Sequence, residues 1–163
     1  MPKHKFITWM ACLNLLPTVD KLESWGMIVR GTCYNCQMEM ETRDHIFFGC
    51  SYAKDIWKQV LQLCGLSREV KIWSEELAWA IQRIKGKVLI SMVLKIVWKA
   101  FIYFVWCERN RRMHNEQSET TQQLLNKIKD VVCIKLDGLT KITGDDINRL
   151  ICSNWGLFVE MFV

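Results

Sequence analysis

Proline is nearly missing from this chain, with two in 163 residues, and histidine and tyrosine are scarce at three each. So little proline, in a chain that is half apolar, excludes a disordered, tail-like protein and predicts a folded one. No glycine-rich loop of the phosphate-gripping kind occurs, which excludes the common nucleotide-binding signatures. His4 and His114 have no nucleophile or acid beside them in a catalytic pattern, so no catalytic residue is assigned and no enzyme is expected. The charge excess is small: a net +5 and an isoelectric point near 8.8 suit nucleic acid without pointing to it.

A secretory leader is also wanting. Lys3-His4-Lys5 followed by Phe6 to Leu16 has its outline, but Thr8, Trp9 and Asn14 interrupt the run, and Pro17-Thr18-Val19-Asp20 offers no small-residue cleavage site. An intracellular protein, nuclear or cytoplasmic and not secreted, is expected. Val88 to Cys107 is apolar and long enough to cross a bilayer. Ser91, Lys95 and Lys99 recur every four residues on one helical face, and lysines deep in a span are expensive in lipid. An amphipathic helix with a solvated stripe is the better reading, with membrane insertion the alternative.

What the sequence does have is eight tryptophans and eight cysteines. Four donor residues lie close together: Cys33 and Cys36 two apart, His45 after eight more residues, and Cys50 after another four. Three thiols and an imidazole form the donor set of a closed, tetrahedral structural zinc site. A tight turn can aim Cys33 and Cys36 at one ion, and His45 and Cys50 complete the set if a helix or turn begins there. A redox Cys-x-x-Cys pair would lack its strand–helix unit and leave His45 and Cys50 unexplained. A disulfide reading needs an oxidising compartment. The other cysteines, Cys12, Cys64, Cys107, Cys133 and Cys152, are scattered and read as small buried hydrophobes.

Apolar spacing predicts helices throughout. Phe6, Trp9, Leu13 and Leu16 mark one packed face of a first helix, ended by Pro17. A second helix runs through Trp25 to Gly26, and both Trp9 and Trp25 read as core. Thr42 is placed to cap the His45 turn, and Ile46, Phe47 and Phe48 form an apolar plug beside the metal. Ser51 is the expected cap of a helix over 52–64, closed by Gly65, and Ser74 that of a helix carrying Trp73, Leu77, Ala80, Ile81 and Ile84. A long helix follows over about 88–113, apolar around most of its circumference. It is either the centre of a bundle or a face for a protein partner or for self-association. A further helix to about Asp137, capped at Ser118 or Thr120, and a tail bearing Trp155, Leu157 and Phe158 complete the chain. The expected fold is all-α, a small helical bundle with an inserted Cys3His zinc module, divided at 1–65 and 66–163.

The long helix ends in Glu108-Arg109-Asn110-Arg111-Arg112. Its arginines either offset the negative helix end or, as Arg109, Arg111 and Arg112 together, contact phosphates.

The residues around the ligands carry a family pattern. Trp9, Leu13, Leu16, Asp20, Leu22 and Trp25-Gly26 precede Cys33-x-x-Cys36, then come Glu41-Thr42-x-x-His45-Ile46-Phe47-Phe48-x-Cys50, Ala53 and Ile56-Trp57. This resembles the zinc-binding domain downstream of plant LINE-type (non-LTR retrotransposon) reverse transcriptases. Pro2-Lys3-His4-Lys5-Phe6 and Trp106 to Arg112 resemble its flanks, so the resemblance runs from residue 2 to about 115. It implies a structural zinc ion in a module separated from its polymerase, with single-stranded RNA or DNA as the partner and no small-molecule substrate. Reverse transcription itself needs clustered carboxylates for two metal ions. The only adjacent aspartates, Asp145-Asp146, lack the aromatic residue of the polymerase motif and read as a helix cap. The alternatives are a structural or protein-interaction domain with purely structural zinc, and a retroelement remnant without selected function.

Overall fold

The helical periodicities are realised in a computed structural model that describes residues 1–29, 31–139 and 142–157. In chain order these are α1 (Pro2–Cys12), α2 (Val19–Ser24), a π-helical turn (His45–Gly49), α3 (Ser51–Leu63), α4 (Trp73–Arg83), α5 (Leu89–Met113), α6 (Thr121–Leu136) and α7 (Asp146–Trp155). Among the described residues an isolated antiparallel bridge joins Thr32 to Met40. The chain is all-α, with the Cys3His cluster inserted between its second and third α-helices.

Helix α5 is the axis of the bundle, with α1, α3, α4, α6 and α7 packed around it. Its near-complete apolar circumference is thereby occupied inside the molecule: Val93, Val97, Phe101, Ile102 and Val105 are all closed off from solvent. Among the described residues α5 alone is long and apolar enough to cross a membrane, and 61% of its most apolar window is buried against the other helices. The Ser91–Lys95–Lys99 stripe is solvated only in part, since Ser91 is buried and Lys99 half-buried.

Helix α1 turns the opposite way from its expected orientation. Phe6, Trp9 and Leu13 are each more than half exposed, and the buried face is His4 and Ala11. From Phe6 to Leu16 apolar residues fall on more than one side of the helix, so spacing alone does not select a face. The imidazole of His4 stacks on Tyr103 of α5 at 4.1 Å and 20°, and Ala11 is small enough to let the helices approach. The helix also stops before Pro17, where Asn14 takes the left-handed conformation (φ 55°) and the Leu15 amide closes back on the Met10 carbonyl at 2.8 Å. Trp25 follows α2 at 63% exposure and is likewise not core.

Helices α3 and α6 bury the faces their spacing predicts: Ala53, Ile56, Trp57, Val60 and Leu61 in one, Leu124, Leu125, Ile128, Val131 and Val132 in the other. Ile134, on the expected apolar side of α6, faces solvent instead. Thr120 and Gln123 form a reciprocal capping box at the start of α6. Ser51 and Ser74 do not cap. Each lies inside its helix, with Cys50 and Ile72 at the cap positions, and the carboxylate of Glu76 takes the Lys71 amide at 2.7 Å ahead of α4. In the tail, Trp155 is buried and Leu157 packs at the core's edge; Phe158 lies outside the described residues. All eight cysteines are free thiols.

Candidate metal centre

Residues 31–41 form a reversed loop because Gln37 adopts the left-handed conformation (φ 59°). The Gln37 amide donates to the Cys33 carbonyl at 2.8 Å, and the Cys33 amide to the Glu39 carbonyl at 2.7 Å. Cys33 and Cys36 are thereby held on one side of the turn. The second pair needs a different device. In an α-helix, residues five apart point about 140° away from each other. Here the Cys50 amide donates to the His45 carbonyl at 2.6 Å, a π-helical turn that brings position five back toward position zero. The Thr42 hydroxyl accepts from the His45 amide at 3.1 Å and starts the turn where the sequence places its cap. Gly49 leaves room for the imidazole, since a Cβ there would stand 3.2 Å from His45 Nδ1.

Ile46, Phe47 and Phe48, between the two ligands, are driven into the core. Phe48 meets Trp57, Trp73, Trp98 and Phe101 at ring distances of 5.5 to 5.8 Å, so an aromatic floor lies directly beneath the cluster.

The donor atoms of Cys33, Cys36, His45 and Cys50 all lie within 4.8 Å of one another. Cys33 Sγ and Cys50 Sγ are 4.0 Å apart, and Cys36 Sγ and His45 Nε2 are 3.2 Å apart. A tetrahedron with Zn–S bonds of about 2.3 Å has edges of about 3.8 Å, which these separations bracket. Three thiolates and an imidazole are zinc's preferred structural donors, and four of them leave no open position for water. The set fits Zn2+. His45 Nδ1 lies 3.4 Å from Glu39 Oε2, a contact that orients Nε2 toward the sulfurs.

The protonation states follow from the same crowding. Hydrogen bonding to Cys50, then burial, pushes the Cys33 thiol up to about 12, while that hydrogen bond holds Cys50 below its ordinary value. The amides of Ala53 and Tyr52 at the start of α3 also favour the Cys50 thiolate. Hydrogen bonding to Cys33 raises His45 to about 9. A divalent cation shared among the four replaces these protons, so zinc binding releases protons and its free energy is folding energy for the loop.

The arginines of α5 are held by partners within the molecule. Arg109 is buried between the rings of Tyr34 and Trp106, each 5.0 Å away, and its Nε donates to Glu41 Oε1 at 2.8 Å. Glu41, fully buried, also accepts from the amides of Val19 at 3.2 Å and Tyr34 at 3.3 Å. Arg112 donates to Glu108 Oε1 and to the Asn35 carbonyl, both at 2.7 Å, and lies over the Tyr52 ring. Arg111 pairs with Glu108 and Glu119. All three guanidinium groups are thus engaged with carboxylates of the molecule itself. Arg109 and Arg112 reach Tyr34 and Asn35, the two residues between Cys33 and Cys36, and clamp the zinc loop onto α5. Burial of Glu41 and Glu108 makes these pairings obligatory, because an unpaired carboxylate in the interior is costly.

Glu41, Glu76 and Glu108 are the residues that spacing arguments pass over. A glutamate in a polar loop or a helix reads as solvated, and only the recurrence of Glu41 and Glu108 in the family-like segments singles those two out. Glu76 carries no such signal; it is fully buried, takes both Arg68 guanidinium nitrogens and accepts from Trp57 Nε1 at 3.0 Å. Asp145, as expected, caps α7 by accepting from the Asn148 amide at 2.8 Å.

No curated protein and no solved structure matches this chain. Residues 1–57 match the family model described as zinc-binding in reverse transcriptase, and all four donor residues fall inside that span. Over residues 1–57 the chain is thus similar to the zinc-binding domain of reverse transcriptases, and within that span it brings together a Cys3His set of donors that fits zinc.

Proposed function

We propose that this protein acts as a non-catalytic zinc module of plant LINE-type retrotransposon ancestry that assists the binding of single-stranded RNA or DNA. The observation that carries the reading is the coincidence of the family match over residues 1–57 with a closed four-donor site. A closed site offers no coordination position for substrate or activated water, which favours a structural ion over a catalytic one. Zinc-stabilised modules of other kinds engage unpaired bases in single-stranded RNA, although this chain has eight residues between Cys36 and His45 and its own loop geometry. A nuclear or cytoplasmic setting suits its eight free thiols.

The test is metal analysis of the purified protein followed by titration with fluorescein-labelled single-stranded oligonucleotides at two salt concentrations. One zinc per chain with salt-sensitive binding is expected. One zinc with no binding at either salt overturns the nucleic-acid role and leaves a structural domain.

A further inference from the structure

Where the arginines are occupied, a set of lysines is not. A cleft of about 220 Å3 opens where α1, α5 and α6 meet, lined by Lys5, Lys99 and Lys135, one from each helix, together with His4, Ile96 and Val131. None of the three lysines pairs with a carboxylate among the described residues, whereas Lys71 and Lys127 do. No acidic residue lines the cleft. Burial, then the proximity of Lys5 and Lys95, holds Lys99 below its ordinary value, so like charges are gathered here without a counter-ion. Such a gathering is unfavourable until an anion enters it.

The cleft runs into an aromatic surface. Trp9 stands one helical turn beyond Lys5, and Phe6 follows Lys5 directly. Both rings are more than half exposed, and their centroids are 6.1 Å apart. Cations that take phosphate beside exposed rings that take base faces are the two components of a single-strand binding surface. The same rings explain nothing in the fold, since α1 packs through His4 and Ala11.

We infer that single-stranded nucleic acid is held at the α1–α5–α6 cleft, with backbone phosphate between Lys5, Lys99 and Lys135 and bases against Phe6 and Trp9. This rests on the nucleic-acid reading above and assigns its contact surface, away from the arginine cluster and from the zinc ligands.

The experiment compares wild type with the triple variant Lys5→Ala/Lys99→Ala/Lys135→Ala and with Trp9→Ala. Anisotropy titrations use labelled oligo(U) and oligo(dT), and circular dichroism and zinc content confirm folding. Removing the lysines relieves repulsion and leaves the fold intact. Expected are a loss of about tenfold or more in affinity for the triple variant and a fall of about two in its log–log salt slope, at about 0.7 per phosphate on single strands. Trp9→Ala is expected to lose about tenfold with the slope unchanged. Wild-type binding that the triple variant retains within twofold, slope included, overturns this surface while leaving the nucleic-acid reading in place. Absence of wild-type binding to either strand overturns both. Lysine-dependent binding to phosphatidylserine vesicles, with no oligonucleotide binding, replaces the strand with a membrane surface and also overturns the inference.

Discussion

Glu41 and Arg109 stand 68 positions apart in the chain, and Oε1 of the first lies 2.7 Å from Nη2 of the second inside the protein. Glu41 belongs to the zinc loop and Arg109 to the central helix. Through the Val19 and Tyr34 amides, the same carboxylate also fixes the start of α2 and the residue after Cys33. Zinc holds the loop together, and this pair sets where the loop sits.

Glu41→Gln keeps the shape but leaves the Arg109 charge buried without its partner. A loss of about 3–5 kcal/mol in unfolding free energy is expected. Urea denaturation with zinc in excess measures it. A double change with Arg109→Met should recover only part, because the Val19 and Tyr34 amides then lack a charged acceptor.

Cys36→Ser removes one of four donors from a loop with little core of its own. Stoichiometric zinc should be lost, and residues 31–50 should lose hydrogen-exchange protection while the amides of α5 and α6 keep theirs. Unchanged metal content would refute the site.

Arg112→Ala frees the Asn35 carbonyl and leaves Glu108 with fewer donors. Zinc transfer to a chelator should accelerate by about tenfold, the scale seen when support for a metal site is removed. Oligonucleotide affinity at saturating zinc should stay within about twofold, which separates a loop clamp from a phosphate contact.

Burial is the main influence holding His4 below its ordinary value of 6.5, and the nearby cations, Lys135 among them, act in the same direction. As pH falls through 6.5 the unfolded chain takes up the proton first, so stability declines there and levels off once His4 is itself protonated. His4→Phe retains a flat ring against Tyr103 and should flatten this part of the profile. The difference between the two proteins' unfolding free energies, followed from about pH 7.5 to about pH 5.5, isolates the effect from zinc release, which both share.

Trp9→Ala should change stability by no more than about 0.5 kcal/mol, because the ring faces solvent. Trp57→Ala, which empties the aromatic floor and strips Glu76 of a donor, should cost about 3–5 kcal/mol. Calorimetry of Trp9→Ala tests the orientation of α1, and that of Trp57→Ala the packing of α3 beneath the cluster.

Much of the site was legible in the chain. Donor chemistry and spacing alone select Cys33, Cys36, His45 and Cys50, because few arrangements other than a metal bring three thiols and an imidazole so close in sequence. Thr42 as the starting cap and Ile46 to Phe48 as the buried plug were equally readable, since capping and burial there are local properties. The helices of the bundle were readable from their periodicities, with α3 and α6 even showing which side faces inward.

Two things needed the tertiary structure. One is the face of α1: its apolar residues lie on more than one side, and the choice falls to the partner helix, where Tyr103 stacks on the His4 ring, while Ala11 is buried on the same helix. The other is the use of charge. Whether an arginine meets solvent or a buried carboxylate depends on residues dozens of positions away, and nothing local distinguishes Arg109, matched to Glu41, from Lys99, which has no acidic partner among the described residues. Sequence by itself determined which atoms can hold the metal, because ligand chemistry belongs to each side chain; only the fold decided which cations are occupied and which rings are exposed, because burial and pairing belong to the packed chain as a whole.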